Sequence, residues 1–199
     1  MAVVPYSLKD APALIERLLP VQKLSAEAYK EQMEVQGKTL TALGSYWKGR
    51  KPLILNKACI VGCLLPATDN PTKDLEIFEM LMGMDVESLL VRLKIQPKSK
   101  DLKELSNKFQ KEQSLPKESY RLLVDRSKRP EEVMDTVHVH IWNDVNNYLG
   151  TEASNFPQLI EQLGIMRFGH RPRLADTFCG SGQIPFEAAR LGCDVFASD

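Results

Sequence analysis

The stretch that most restricts the fold is the last one, RLADTFCGSGQIPFEAARLGCDVFASD, residues 173–199. Leu174 to Phe178 has the composition of a buried parallel strand. Gly180-Ser181-Gly182 predicts a tight turn, and Ile184 to Leu191 an amphipathic helix stopped by Gly192. Val195 to Ala197 then predicts a second strand, ending at Asp199. Strand, glycine turn, helix and strand in this order make a β-α-β unit, which commits the chain to the α/β class.

Two glycines in such a turn let a ligand sit against the backbone amides at the helix start, because no Cβ atom stands in the way. An acid closing the second strand is placed to bind two vicinal ribose hydroxyls, and Asp199 is such an acid. Dinucleotide sites favour G-x-G-x-x-G, whose third glycine permits tight helix–strand packing. Here Pro185 stands at that third position. Asp176, ahead of the glycines, points instead to S-adenosylmethionine, whose methionine end a carboxylate there engages directly or through water. The candidate cofactor residues are Asp176, Phe178, Cys179, Gly180, Ser181, Gly182 and Asp199. The competing reading is a purely structural glycine turn in an unrelated α/β protein.

The first hundred residues read as helical. Asp10 is expected to cap a helix carrying Leu14, Ile15, Leu18 and Leu19, with Pro20 ending it. A second helix is expected after Ser25, with Leu24, Ala28 and Met33 inward and Gly37 as its stop. LILNKACIVGCLL, between Pro52 and Pro66, is apolar nearly all round and predicts a buried helix. Asp74 to Met84 places Leu75, Phe78 and Leu81 on one face, and Asp85 is positioned to cap a helix with Leu89, Leu90 and Leu93 inward. From Pro97 to about Glu132 the chain is rich in lysine, which predicts a solvated helix and a flexible connection. That stretch is either a basic arm on nucleic-acid phosphates or an exposed insertion with interleaved acids. Beyond it, Trp142, Val145 and Leu149 share a face, with Gly150 as the stop. Ser154 or Asn155 is expected to cap a helix from Phe156 to Leu163, with Gly164 just past its end. The expected organisation is a helical region over 1–96, a charged connection over 97–132, and the start of a Rossmann-like domain over 133–199.

Lys+Arg and Asp+Glu both number 26, so no net field draws the chain to nucleic acid, and any such role needs a local patch. No basic, apolar leader opens the chain, and the longest apolar stretch, Leu53 to Leu65, is too short to span a bilayer. Cysteines 59, 63, 179 and 193 form no CxxC pair. Reduced thiols in a cytoplasmic protein are the simplest expectation.

The stretch DTFCGSGQIPFEAARLGCDVFASD resembles the D-x-F-x-G-x-G cofactor motif of adenine-specific DNA methyltransferases. The likeness continues upstream through LGTEASNFPQLIEQLGIMRFGHRPR. It also takes in LIERLLPVQKLSAEA and TLTALGSYWKGRKPLILNKACIVGCLLPAT. Together these resemble the bacterial and archaeal methyltransferases that begin with the domain of unknown function DUF1156, a group linked to anti-phage defence. The resemblance implies S-adenosylmethionine as cofactor, DNA and defence-system proteins as partners, and methyl transfer to the exocyclic amine of adenine. It also implies a catalytic Asp/Asn/Ser-Pro-Pro-aromatic motif, which this sequence does not contain. A sheet needs more strands than the two at the end of this chain, so the expectation is a fragment without activity of its own. The alternatives are a methyltransferase of RNA or a small molecule, and a non-catalytic helical interaction module.

Within SYWKGRKP, the residues Trp47, Arg50 and Lys51 are candidates to close over the cofactor or to meet a DNA phosphate. The alternative is a turn into a helix with a packed tryptophan. His138 and His140 have the spacing of one strand face, but no third metal ligand stands near them, and no metal site is expected. Cys59 and Cys63 lie one turn apart in an apolar helix and are expected to be buried core thiols. Cys179 has no neighbouring base and is not expected to act as a nucleophile. His170, Arg171 and Arg173 are equally open to ligand contact or to solvent.

Overall fold

The computed structural model describes residues 7–33, 51–94, 117–133 and 140–199. The described chain is mainly helical and carries one two-stranded parallel sheet. The helices are α1 (Leu14–Arg17), α2 (Val21–Met33), α3 (Leu53–Leu64), α4 (Pro71–Met82), α5 (Val86–Lys94), α6 (Lys117–Arg126), α7 (Trp142–Leu149), α8 (Phe156–Phe168) and α9 (Gln183–Leu191). A short 3-10 turn spans Pro130–Glu132. The strands are β1 (Arg173–Asp176) and β2 (Asp194–Ala197).

Helix α3 is the central element. It packs against α1, α2, α4, α8 and α9, and only the strip through Cys59 and Cys63 reaches solvent. These two thiols are therefore exposed rather than buried, a correction to the sequence expectation. The reason lies in the 3.6-residue period: positions 59 and 63 fall on the one strip of α3 that no neighbouring helix covers. The inward side is not purely apolar either, because Asn56 and Lys57 are buried there. One hydrophobic cluster runs from Leu14, Val61 and Phe78 through Ile160 and Leu163 to Leu191. Each large side chain fully buried there contributes about 1.5–3 kcal/mol.

Several helix ends follow local chemistry. Asn70 accepts from the Lys73 amide at 3.1 Å and starts α4, with Pro71 in its first turn and left-handed Gly83 as its stop. Asp85 accepts from the Ser88 amide at 3.0 Å and starts α5. Asn155, not Ser154, caps α8 through the Gln158 amide at 3.0 Å.

Other ends depart from expectation. Asp10 does not cap α1; Glu16 reaches back to the Ala13 amide at 3.0 Å instead. The helix ends before Pro20, at extended Leu18, and Pro20 offers its carbonyl to the Leu24 amide as α2 begins. Helix α2 thus starts at Val21 rather than after Ser25, and Met33 at its end is 62 % exposed instead of inward. Gly37 lies outside the described residues.

Helix α8 does not stop before Gly164 but runs to Phe168, with Gly169 as its left-handed stop. Gly164 sits inside the helix because Pro172 packs on it: a Cβ there would stand 2.3 Å from Pro172 Cδ. The expected solvated helix before Glu132 is present as α6, but it is packed against α2 and α5. Tyr120, Leu123 and Val124 are its buried face.

Strands β1 and β2 pair in parallel, with Arg173 opposite Asp194, Leu174 opposite Val195, Ala175 opposite Phe196 and Asp176 opposite Ala197. Helix α9 packs on both strands and docks them against α3 and α8. Strand β1 is shorter than expected and is not buried, since Arg173 and Ala175 are exposed. The cause is coverage: α9 lies against the sheet, and Phe178 and Phe196 remain 89 % and 61 % exposed.

Candidate functional site

The glycine turn forms where the expectation placed it, at the carboxyl end of β1. Gly180 and Gly182 have φ of +51° and +73°, values that L side chains rarely adopt. A Cβ at either position would meet nothing within 4 Å, so the space in front of the turn is open. The Gly182 amide donates to the Cys179 carbonyl at 2.8 Å and closes the turn. Ser181 Oγ donates to Gln183 Oε1. No side chain caps the start of α9, and among the described residues the amides of Gly180 and Ser181 donate to no backbone carbonyl. Open amides at a helix start are suited to an anionic or polar ligand group.

The strand ends bring the two acids to the same edge. The Ser198 amide donates to the Asp176 carbonyl at 3.0 Å, and the Cys179 amide donates to the Ser198 carbonyl at 3.1 Å. Asp199 therefore follows β2 at the end of the sheet where the turn and Asp176 lie. One oxygen of Asp176 accepts from the Phe178 amide at 3.3 Å, which orients its carboxylate. Asp199 is exposed, and Cys179 is half-buried between these groups. Buried Gln183, at the head of α9, has an amide nitrogen with no hydrogen-bond partner among the described residues. A methionine end near Asp176, a ribose at Asp199 and close backbone approach at Gly180 and Gly182 are compatible with this donor and acceptor set.

The remaining candidates do not gather here. Trp47, Arg50 and His138 lie outside the described residues. Lys51 is exposed just ahead of α3. His140 Nε2 stands 3.8 Å from both Asp85 and Glu87, at the start of α5. Arg171 pairs with Glu161 at 3.0 Å on the surface, His170 stacks on Phe168, and Arg173 is exposed on β1. Among the described residues no group of three or more His, Cys, Asp or Glu is arranged to hold a metal ion.

Sequence reasoning missed a set of buried charges in the helical body and on α9. Glu27 of α2 takes a two-pronged contact from Arg92 of α5, both bonds 2.7 Å, and a third from Tyr120 at 2.9 Å. Glu31 accepts from the first two amides of α3, Leu53 at 2.9 Å and Ile54 at 3.3 Å, and so caps that helix from a different element. Lys57 donates to the Leu81 carbonyl at 2.7 Å and lies 4.2 Å from the Phe156 ring centroid. Burial pulls its pKa down to about 7, against a smaller opposing pull from Glu187 of α9. Glu187 is fully buried and is held by Arg190 at 2.8 Å and 2.9 Å. A signal existed: Glu27 and Glu31 follow Leu24 at helical spacing, which puts two acids on the inward face of α2.

A groove of about 1040 Å³ opens between α2, α4 and α6, lined by Leu19, Pro20, Tyr29, Leu75, Glu79 and Tyr120 among others. None of its lining residues belongs to the glycine-turn unit. Among the described residues no helix is long and apolar enough to cross a membrane.

No curated protein matches the chain, and no solved structure does. Residues 18–81 do match a family model, described as "Protein of unknown function (DUF1156)". The segment holding α2, α3 and most of α4, which carries the inward-facing Glu27, Glu31 and Lys57, is therefore the part of this chain similar to the DUF1156 family.

Proposed function

We propose that this chain supplies the cofactor-binding opening of an S-adenosylmethionine-dependent methyltransferase acting on the exocyclic amine of adenine in DNA. The observation that carries the cofactor reading is the pair of acids, Asp176 and Asp199, flanking an uncapped glycine turn at one edge of a parallel β-α-β unit. Gly180 and Gly182 let the ligand approach the backbone. Asp199 accepts hydrogen bonds from the ribose hydroxyls, and Asp176, held by the Phe178 amide, orients the methionine end. The cofactor itself supplies an electrophilic methyl group. The choice of adenine in DNA rests on the motif resemblance of residues 176–199, and the residues that hold the base are not among those identified in this chain.

Calorimetric titration of the protein with S-adenosylhomocysteine tests the cofactor. Binding that weakens at least tenfold in Asp199→Ala is expected, a loss of about 1.4 kcal/mol. Binding of a nicotinamide dinucleotide instead would overturn the assignment. Transfer of labelled methyl to adenine in DNA, compared with RNA, then tests the substrate.

A further inference from the structure

Two thiols stand on the outer strip of the central helix. Cys59 and Cys63 are the only exposed positions of α3 between Leu53 and Leu64. Residues four apart share one helix face, with Cβ atoms about 5–6 Å apart. Helix α3 cannot turn that face inward, because α1, α2, α4, α8 and α9 all pack on its other sides. Gly62, beside Cys63, lies so close to α1 that an added Cβ would stand 3.3 Å from the Ile15 Cβ. The helix therefore fixes where the two thiols begin, and a ligand that bridges them has little left to order beyond their side-chain torsions.

The spacing decides which bridge fits. A disulfide needs Cβ atoms about 3.5–4.5 Å apart, closer than an intact helical turn holds them. A cation between the sulfurs makes a longer span: metal–sulfur bonds of about 2.3 Å on either side of a linear centre set the sulfurs about 4.6 Å apart. Structural zinc takes four ligands, and among the described residues no group of three or more His, Cys, Asp or Glu is arranged to hold a metal ion. Cuprous copper prefers soft sulfur donors and is satisfied by two thiolates.

We propose that Cys59 and Cys63 form a two-thiolate site for a soft monovalent cation, cuprous copper, on the open strip of α3. Each thiol releases its proton to water as its sulfur–copper bond forms, and copper stays monovalent, so no electrons change hands. Burial raises the Cys63 pKa most, Cys59 beside it and Glu16 of α1 raise it further, and the Arg167 charge of α8 opposes them. That same Arg167 charge favours the anion formed by two thiolates and one monovalent cation. Protons compete for both sulfurs, so binding weakens as pH falls. Cys179 and Cys193 do not form a second such pair, since one follows the carboxyl end of β1 and the other precedes the amino end of β2, at opposite ends of the parallel sheet.

Anaerobic titration of the full chain with cuprous ion, in competition with the chromogenic chelator bicinchoninate, tests the site. A single copper per chain is expected, with Cys59 and Cys63 shielded together from alkylation by iodoacetamide. Cys59→Ser and Cys63→Ser should each weaken binding about a hundredfold, as one arm of a chelate is lost, while Cys193→Ser leaves it unchanged. Both serine changes fall on exposed positions, so the copper-free variants should melt within about 2 °C of the wild type. Copper held as tightly by either single variant, copper carried by Cys179 or Cys193, or no copper bound in competition would overturn the proposal. If a serine variant fails to fold, the alkylation map of the wild type decides: shielding of only one of the two thiols, or of neither, sinks the site. Ready formation of a Cys59–Cys63 disulfide in the folded chain would also count against it, since the sulfurs would then meet without a cation between them.

Discussion

The helical body and the glycine-turn unit solve the same problem in opposite ways. Helices α2, α3 and α5 bury several charges, among them Glu27, Glu31, Lys57 and Arg92, and satisfy them internally, as Glu27 is by Arg92 and by Tyr120 of α6. The glycine-turn unit leaves Asp199, its open amides and two phenylalanines at the surface, and it is held through α9 and through Pro172, which packs on Gly164 of α8. Disruption should therefore be costly in the first region and nearly silent in the second, where ligand binding is the sensitive readout.

The largest effect should come from Glu27→Ala, which strands a fully buried Arg92. Removing one partner of a buried ion pair costs about 3–5 kcal/mol, so denaturant unfolding should show a chain close to the limit of folding. A loss under about 1 kcal/mol would break the comparison, since it would mean that the interior tolerates an unpaired guanidinium.

Next is Gly164→Ala, at the seam between the two regions. Its Cβ would overlap Pro172, on the segment that leads into β1. The expected cost is about 1–3 kcal/mol, together with weaker protection of the β1–β2 amides. Gly182→Ala should cost less, about 1 kcal/mol, because the space is open and only the left-handed backbone is strained. Loss of S-adenosylhomocysteine binding greater than that strain accounts for would sharpen the division of labour.

Smallest of all is Phe178→Ser. This side chain is 89 % exposed, and its removal should shift stability by no more than about 0.5 kcal/mol. A larger loss would break the comparison, since it would mean that this exposed side chain contributes to stability.

These two regions also differ in how far they could be read. The glycine-turn unit was legible nearly residue by residue, because its parts are specified locally: glycines at positive φ, an apolar strand and a helix stop. Even there, the exposure of β1 was not foreseen, since burial depends on what lies on either side of a sheet. The stop at Gly164 was misread for a related reason. A glycine that ends a helix and one that admits a neighbouring proline look alike until Pro172 is placed. The helical body was legible as helices but not as a charged interior. Lys57 looks like a surface residue, and only α4 and α8 supply the carbonyl and the ring that bury it. Likewise, a helix as charged as α6 reads as solvated until α2 and α5 are set against Tyr120 and Val124.

Arg167, near the end of α8, has a consequence for how the chain is made. Its guanidinium donates to the carbonyls of Ala11 at 2.9 Å, Leu64 at 2.8 Å and Leu65 at 3.0 Å. The Leu8 amide donates to its neighbour, Met166, at 2.9 Å. During synthesis the first helix and the end of α3 therefore wait for a residue made more than a hundred positions later. Until Arg167 has left the ribosome, the carbonyls of Ala11 and Leu64 lack this donor, and that of Leu65 has only the Leu14 amide. The amino-terminal helices should then pass through a looser, protease-sensitive form, and the final seating of the opening segment becomes one of the last events rather than one of the first.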